Sequence, residues 1–114
     1  MTIRWTATAI SSREGFLDSA LEHALLMPDP QIFAAALADD EAIHTAAVDL
    51  DGSATYAPGP VPGTRIKPVA RGRYVLIYRR NEHDALVLDV VPARSNWRSA
   101  PSPTGRKWRT SKPG

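Results

Sequence analysis

The chain has 114 residues, a formal net charge of +2 and no cysteine. Its length suits one small domain, and the lack of cysteine excludes a disulfide scaffold, a thiolate metal site and a cysteine nucleophile. The charge is divided unevenly: residues 1–62 carry −7 and residues 63–114 carry +9. This asymmetry favours an anionic partner for the second half, although the two halves could also attract each other within the fold.

The first half predicts a strand followed by two helices. Residues 2–6 alternate β-branched and aromatic side chains, which is typical of a short strand. Residues 9–26 repeat apolar side chains at helical spacing and stop before Pro28, so they predict an amphipathic helix. Asp29 and Pro30 suit the cap and first turn of a second helix that continues to about residue 50. The short proline turn between the helices predicts an antiparallel helical hairpin.

The second half predicts a loop and three strands. Residues 51–63 are rich in proline, glycine and aspartate, which indicates a loop. A strand is predicted over residues 64–69, where Pro68 marks a sheet edge or a strand end. Residues 73–80 have apolar side chains on both faces and predict a central strand, which forms a hairpin with a strand over residues 85–91. Either border of the sheet, at residues 2–6 or 64–69, could stay open to a partner's strand.

Together these elements predict an α+β fold in the order β-α-α-β-β-β, with a small, mainly antiparallel sheet covered on one face by the N-terminal helical hairpin. Residues 1–98 form the predicted domain, and residues 99–114, rich in Ser, Pro, Lys and Arg, form a predicted flexible basic tail. No apolar run approaches the about 20 residues of a membrane span, and no secretory signal is evident. We therefore expect no membrane partner, and the lack of cysteine suits a reducing compartment such as the cytoplasm.

Four pieces of the chain, in this order of elements, resemble the RelE/ParE superfamily of type II toxins, also known as plasmid stabilisation proteins. The pieces are Ile3–Thr6 before the first helix, Gly63–Arg65, Arg73–Arg79, and the last strand with the basic segment Ala93–Arg98. The resemblance covers about residues 1–98. It implies a cytoplasmic toxin that is wrapped and neutralised by a cognate antitoxin. Its ParE-like branch poisons DNA gyrase, whereas its RelE-like branch cleaves mRNA in the ribosomal A site.

Two departures separate these branches. Val75 stands where the RelE-like nucleases place an arginine, and Trp97, near the position of their C-terminal catalytic group, cannot act as a general base. The resemblance therefore implies a ParE-like toxin that inhibits growth by binding DNA gyrase. The alternative is a RelE-like, ribosome-dependent endoribonuclease that needs no metal, and a member without retained toxicity is a third possibility.

The candidate site residues are mostly cations at strand ends and in loops. Arginine suits an anionic partner because its planar fork pairs with phosphate and carboxylate oxygens. The side chains predicted to bind nucleic acid or another target are Arg65, Lys67, Arg71, Arg94, Trp97 and Arg98. Each cation could instead belong to a solvated rim. The basic and aromatic pair Trp97-Arg98 suits single-stranded nucleic acid, but Trp97 could equally anchor an antitoxin segment. A nuclease would use Arg94, Arg73 and Tyr78 in catalysis.

Tyr78 has two interpretations, because it could position a nucleotide or pack against the helices. The three histidines His23, His44 and His83 lie in the two helices and in a turn, not at metal-ligand spacing. We therefore expect no metal, and we expect no cofactor because the sequence contains neither a phosphate loop nor a dinucleotide fingerprint.

Overall fold

The computed structural model describes residues 2–52, 57–95 and 97. The elements in chain order are β1 (Thr2–Trp5), α1 (Ala7–Leu26), α2 (Pro30–Val48), a 3-10 turn (Asp49–Gly52), β2 (Ala57–Pro58), β3 (Arg65–Val69), β4 (Tyr74–Arg80) and β5 (Asp84–Pro92). They form a five-stranded sheet in the order β1-β5-β4-β3-β2. β1 runs parallel to β5, and the other neighbours are antiparallel. The predicted α+β fold is confirmed, and the predicted tail at residues 99–114 lies outside the described residues.

The helical hairpin begins and turns at side-chain caps. The Thr6 hydroxyl accepts a hydrogen bond from the backbone N–H of Ala9 at 3.0 Å, so α1 starts two residues before its predicted beginning. The Asp29 carboxylate accepts from the N–H of Gln31 at 2.9 Å, and Pro30 occupies the first turn of α2. The predicted cap of the second helix is therefore confirmed. Neither helix is long and apolar enough to cross a membrane, among the residues described.

The hairpin is anchored to the sheet at its base. The buried residues of α1 lie in its first turn, and those of α2, Ile43 and Ala47, lie in its last two turns. The predicted apolar stripe of α1 is buried less than its spacing suggested, since Leu21 is 45% exposed and Leu25 is 73% exposed. Towards the tip the two helices have mainly each other to pack against, so part of each apolar face stays in solvent.

The sheet is buried on both faces. Leu76 and Tyr78 of β4 belong to a core cluster with the helices, whereas Val75 and Ile77 belong to a second cluster on the opposite face. The second cluster is covered by Val61 and Trp97 and by other apolar side chains of that face. Strands buried on both sides read as continuous apolar runs, which explains why β4 was predicted as a central strand.

The outer border of the sheet differs from the prediction in one element. The predicted loop over residues 51–63 contains the two-residue strand β2, which pairs with Arg65 and Ile66 only. Pro68 lies beyond this pairing, where its missing N–H removes no ladder hydrogen bond to β2. At the opposite border of the sheet, β1 pairs with β5 alone among the described residues.

A β-bulge in β5 was not anticipated from the sequence. The β4–β5 register shifts at Leu88, whose carbonyl accepts a hydrogen bond from the Thr6 hydroxyl at 2.8 Å. The next residue, Asp89, is fully buried. Its Oδ1 accepts from the Ser12 hydroxyl at 2.7 Å and from the N–H of Val90 at 2.8 Å. Hydroxyls around the start of α1 thus satisfy the Leu88 carbonyl at the bulge and one oxygen of the buried Asp89 carboxylate.

Candidate anion-binding site

The turn between β3 and β4 is tight and left-handed. Ala70, Arg71 and Gly72 have φ angles of 52°, 58° and 82°. The N–H of Gly72 donates to the carbonyl of Val69 at 3.0 Å, and that of Arg73 donates to Ala70 at 3.2 Å. Positive φ is uncommon for residues other than glycine and costs on the order of 1 kcal/mol each. The turn holds Arg71 and Arg73 at one end of the sheet.

The end of β5 brings a third arginine to the same place. The N–H of Ala93 donates to the carbonyl of Arg73 at 2.9 Å, which fastens the chain after β5 to the β3–β4 turn. Between them lies an open cavity of about 480 Å³, lined by Arg71, Gly72, Arg73, Tyr74, Pro92, Ala93 and Arg94. The three predicted cations in this list therefore converge, although more than twenty positions separate Arg94 from the other two.

Arg73 differs from its two neighbours because it has an internal partner. Its Nε donates to Oδ2 of Asp39 at 3.0 Å, and its Nη2 donates to Oδ1 of the same carboxylate. These hydrogen bonds, and then the charge of Asp39, raise the pKa of Arg73 further above its ordinary value. Arg71 and Arg94 are exposed, and within the described residues neither has a carboxylate at ion-pair distance.

Tyr74 is the one aromatic residue that lines the cavity, among the residues described. Its ring lies 4.7 Å from that of Phe16, measured between centroids. Desolvation, and then the charge of Asp39, raises the pKa of the Tyr74 phenol above its usual range. The phenol therefore stays protonated near neutral pH and can donate a hydrogen bond, but it is a poor general base.

A second ion pair lies beside the first on α2. Nε and Nη2 of Arg13 donate to the two oxygens of Asp40 at 2.8 and 3.0 Å. The Arg13 guanidinium also lies over the Trp5 ring, 4.6 Å from its centroid. This pair joins α1 to α2 and contributes no residue to the arginine-lined cavity.

The remaining predicted site residues lie elsewhere. Arg65 and Lys67 stand opposite Tyr78 and Leu76 on the helix-covered face of the sheet, and both are half-buried. The Tyr78 side chain is 1% exposed in the helix-side core. Trp97 is 8% exposed in the second cluster. Arg98 lies outside the described residues.

Histidine contributes nothing to the cavity. His23, His44 and His83 are all exposed, and none of them lines it. Within residues 2–52, 57–95 and 97, no group of three or more His, Asp or Glu side chains is placed to hold a metal ion. The arrangement offers cations and a hydrogen-bond donor, which suits binding of an anionic group.

Asp39 is the residue at this site that sequence reasoning missed. In the sequence it is one of three consecutive acidic residues, Asp39 to Glu41, on the side of α2 opposite the apolar stripe, which is typical of a solvated helix face. No local signal singles it out, since its partner lies 34 positions later.

Comparison with known proteins identifies a solved structure with a similar fold. No family model matches the chain, and neither does any curated protein. Among solved structures, the chain is similar to one from the "Chromosomal ParDE TA system from P. aeruginosa", with a TM-score of 0.61 and 18% sequence identity. The similarity covers 82% of this chain and 97% of that chain. The two share a fold, in agreement with the fold implied by the RelE/ParE resemblance.

Proposed function

We propose that the chain is the toxin of a type II toxin–antitoxin system, ParE-like in its action, that inhibits growth by binding DNA gyrase in the cytoplasm and is neutralised by a cognate antitoxin. The observation that carries this proposal is the shared fold with a chain of a ParDE system, over 82% of this sequence. The sequence resemblance also supports it, through four local pieces of the chain and the order of the elements that carry them.

The chemistry of the cavity favours binding over cleavage. Arg71 and Arg94 are exposed cations on one rim, so they can pair with acidic groups of a target. Cleavage of RNA without a metal would also need a general base within hydrogen-bond reach of the 2′-hydroxyl. The cavity wall offers only the protonated phenol of Tyr74, and no histidine lines it among the described residues.

One observation favours a second function, a RelE-like mRNA endoribonuclease. The convergence of Arg71, Arg73 and Arg94 provides the kind of positive charge that stabilises a phosphoryl transition state. In that function Arg94 and Arg73 would act from the cavity. Tyr78 would have to act from the core, where its side chain is 1% exposed.

The test is to express the chain alone in a bacterial host and to assay the purified protein against DNA gyrase. We expect growth arrest with filamentation, and inhibition of supercoiling in vitro. Arg94→Ala should weaken both effects. Arg4→Ala is the matched control, because Arg4 is also an exposed arginine but stands opposite Leu86, near the other end of β5.

The outcomes separate the candidates. Arrest with cleaved mRNA and unaffected gyrase would support the nuclease. Soluble protein without any arrest would contradict both. Co-expression with the product of a short adjacent reading frame should restore growth if that product is the antitoxin, and purification of a stable pair would identify it.

A further inference from the structure

One of the three arginines at the cavity is already occupied by an anion from its own chain. Both oxygens of Asp39 accept hydrogen bonds from Arg73, in the side-by-side arrangement that a bound phosphate or carboxylate would use. The Asp39 side chain is 14% exposed, and that of Arg73 is 54% exposed. The carboxylate is thus held by the fold, while the guanidinium lies at the surface and lines the cavity.

We propose that Asp39 is an internal competitor that sets the affinity of this cavity for oxyanions. It takes the face of Arg73 that an external phosphate or carboxylate group would otherwise bind, so only Arg71 and Arg94 are available at first contact. A ligand gains the third arginine by displacing Asp39. This inference deepens the proposed function, because it rests on the proposed use of the cavity in binding a target.

Two features allow the exchange. Exposed ion pairs are weak, because solvent screens the attraction and ordering the side chains costs entropy. The Arg73 side chain can also turn from Asp39 towards the cavity without losing buried packing contacts, since more than half of it is already exposed to solvent. Asp39 is tethered, however, and a tethered group competes at a high effective concentration. Weakly charged ligands should therefore fail to displace it.

The decisive variant is Asp39→Asn, which keeps the shape of the side chain and removes its charge. The matched control is Asp40→Asn, which makes the same change one residue later and breaks the Arg13 pair outside the cavity. Binding of pyrophosphate to the purified full chain is measured by titration calorimetry at low and high salt. A tetraglutamate peptide is the second probe, and it distinguishes a phosphate from a carboxylate source.

We expect Asp39→Asn to bind pyrophosphate roughly tenfold more tightly at low salt, with a smaller gain at high salt, because salt screens exposed charges. Asp40→Asn should stay within about twofold of the parent, since it shares only the long-range charge change. Adding Arg73→Ala should abolish the gain. A larger gain for the peptide than for pyrophosphate would indicate that the natural group is a carboxylate.

Three results would overturn the inference. Equal gains in the two asparagine variants would show a long-range charge effect without competition. Weaker binding by Asp39→Asn, with an unchanged melting curve, would show that Asp39 positions Arg73 for the ligand. Absence of binding by every folded variant, including Asp39→Ser, would show that the cavity takes no oxyanion. Growth arrest by the parent chain would leave the toxin proposal standing in each case.

Discussion

Trp97 provides a direct test of whether the end of the domain is core or binding surface. The basic and aromatic pattern at Trp97-Arg98 predicted a target-binding side chain, yet the indole is 8% exposed among apolar residues of the second cluster. A tryptophan buries up to about 250 Å², and about 25 cal/mol is gained per Å² of apolar surface. The product, about 6 kcal/mol, is an upper bound, because the unfolded chain already buries part of this area and the alanine keeps its Cβ. Trp97→Ala should therefore lower the free energy of unfolding by about 4 kcal/mol, within the range of about 3–5 kcal/mol for such truncations.

The assay is denaturation followed by far-UV circular dichroism, with urea and with heat. For a domain of this size, a loss of about 4 kcal/mol lowers Tm by roughly 15–30 °C. Trp97→Phe should retain most of the stability, and deletion of residues 99–114 should change the melting temperature very little, as their composition predicts. A loss below about 1 kcal/mol for Trp97→Ala would refute the packing argument and return the indole to the target-binding residues.

Five further substitutions, at four positions, test the core, the loop over the second cluster, the first helix and the bulge. Tyr78→Ala should lower the free energy of unfolding by about 3–5 kcal/mol. Tyr78→Phe should stay folded and should match the parent chain in the growth assay. If the parent arrests growth and a folded Tyr78→Phe protein does not, a catalytic role for Tyr78 would be restored. Gly59→Ala would place a Cβ 2.1 Å from Oγ1 of Thr64, so it should lower the free energy of unfolding, measured in urea, by about 1–3 kcal/mol. Gly15→Ala, on α1, would place its Cβ in open space and should raise the free energy of unfolding by about 0.5–1 kcal/mol. Ser12→Ala removes a donor to a buried carboxylate and should cost about 1–3 kcal/mol by the same measurement; no change would show that the bulge is satisfied without it.

Much of the fold could be predicted because its determinants are local. Asp29 and Pro30 define the start of α2 through a cap and a fixed φ, both of which depend on neighbouring residues alone. The double-sided apolar pattern of residues 74–78 placed β4 in the centre of the sheet, and its two faces do belong to different clusters. These features can be predicted from residues that are close together in the sequence, without knowing which distant residues they contact.

The features that escaped prediction depend on tertiary contacts. The β5 bulge is accompanied by hydrogen bonds from the hydroxyls of Thr6 and Ser12 to groups at Leu88 and Asp89, more than seventy positions away. The left-handed turn has a similar origin, since only its last residue, Gly72, has the intrinsic freedom to adopt positive φ. Neither arrangement has a local sequence signal.

The candidate site was likewise predictable in its residue types but not in its tertiary arrangement. Residue type and position at strand ends were sufficient to name Arg71, Arg73 and Arg94, because functional cations concentrate in loops on a rigid scaffold. The same reasoning also named Arg65 and Lys67, which the β3 register places on the helix-covered face. Which cations share a cavity is decided by strand register and by the closure of the β3–β4 turn, so a list of basic residues could not separate the two groups.

The arginines at the cavity fall into two groups, one paired within the fold and the others exposed to solvent. The Arg73–Asp39 pair joins the basic half to the acidic half, so part of the asymmetry is satisfied within the fold. Arg71 and Arg94, beside it, are exposed on the same cavity. Internal pairing of all three arginines would lower the affinity of the cavity for an anionic partner, and pairing of none would raise it. One internal pair among three arginines gives a site whose affinity can be raised by removing a single carboxylate, which is the property that Asp39→Asn measures.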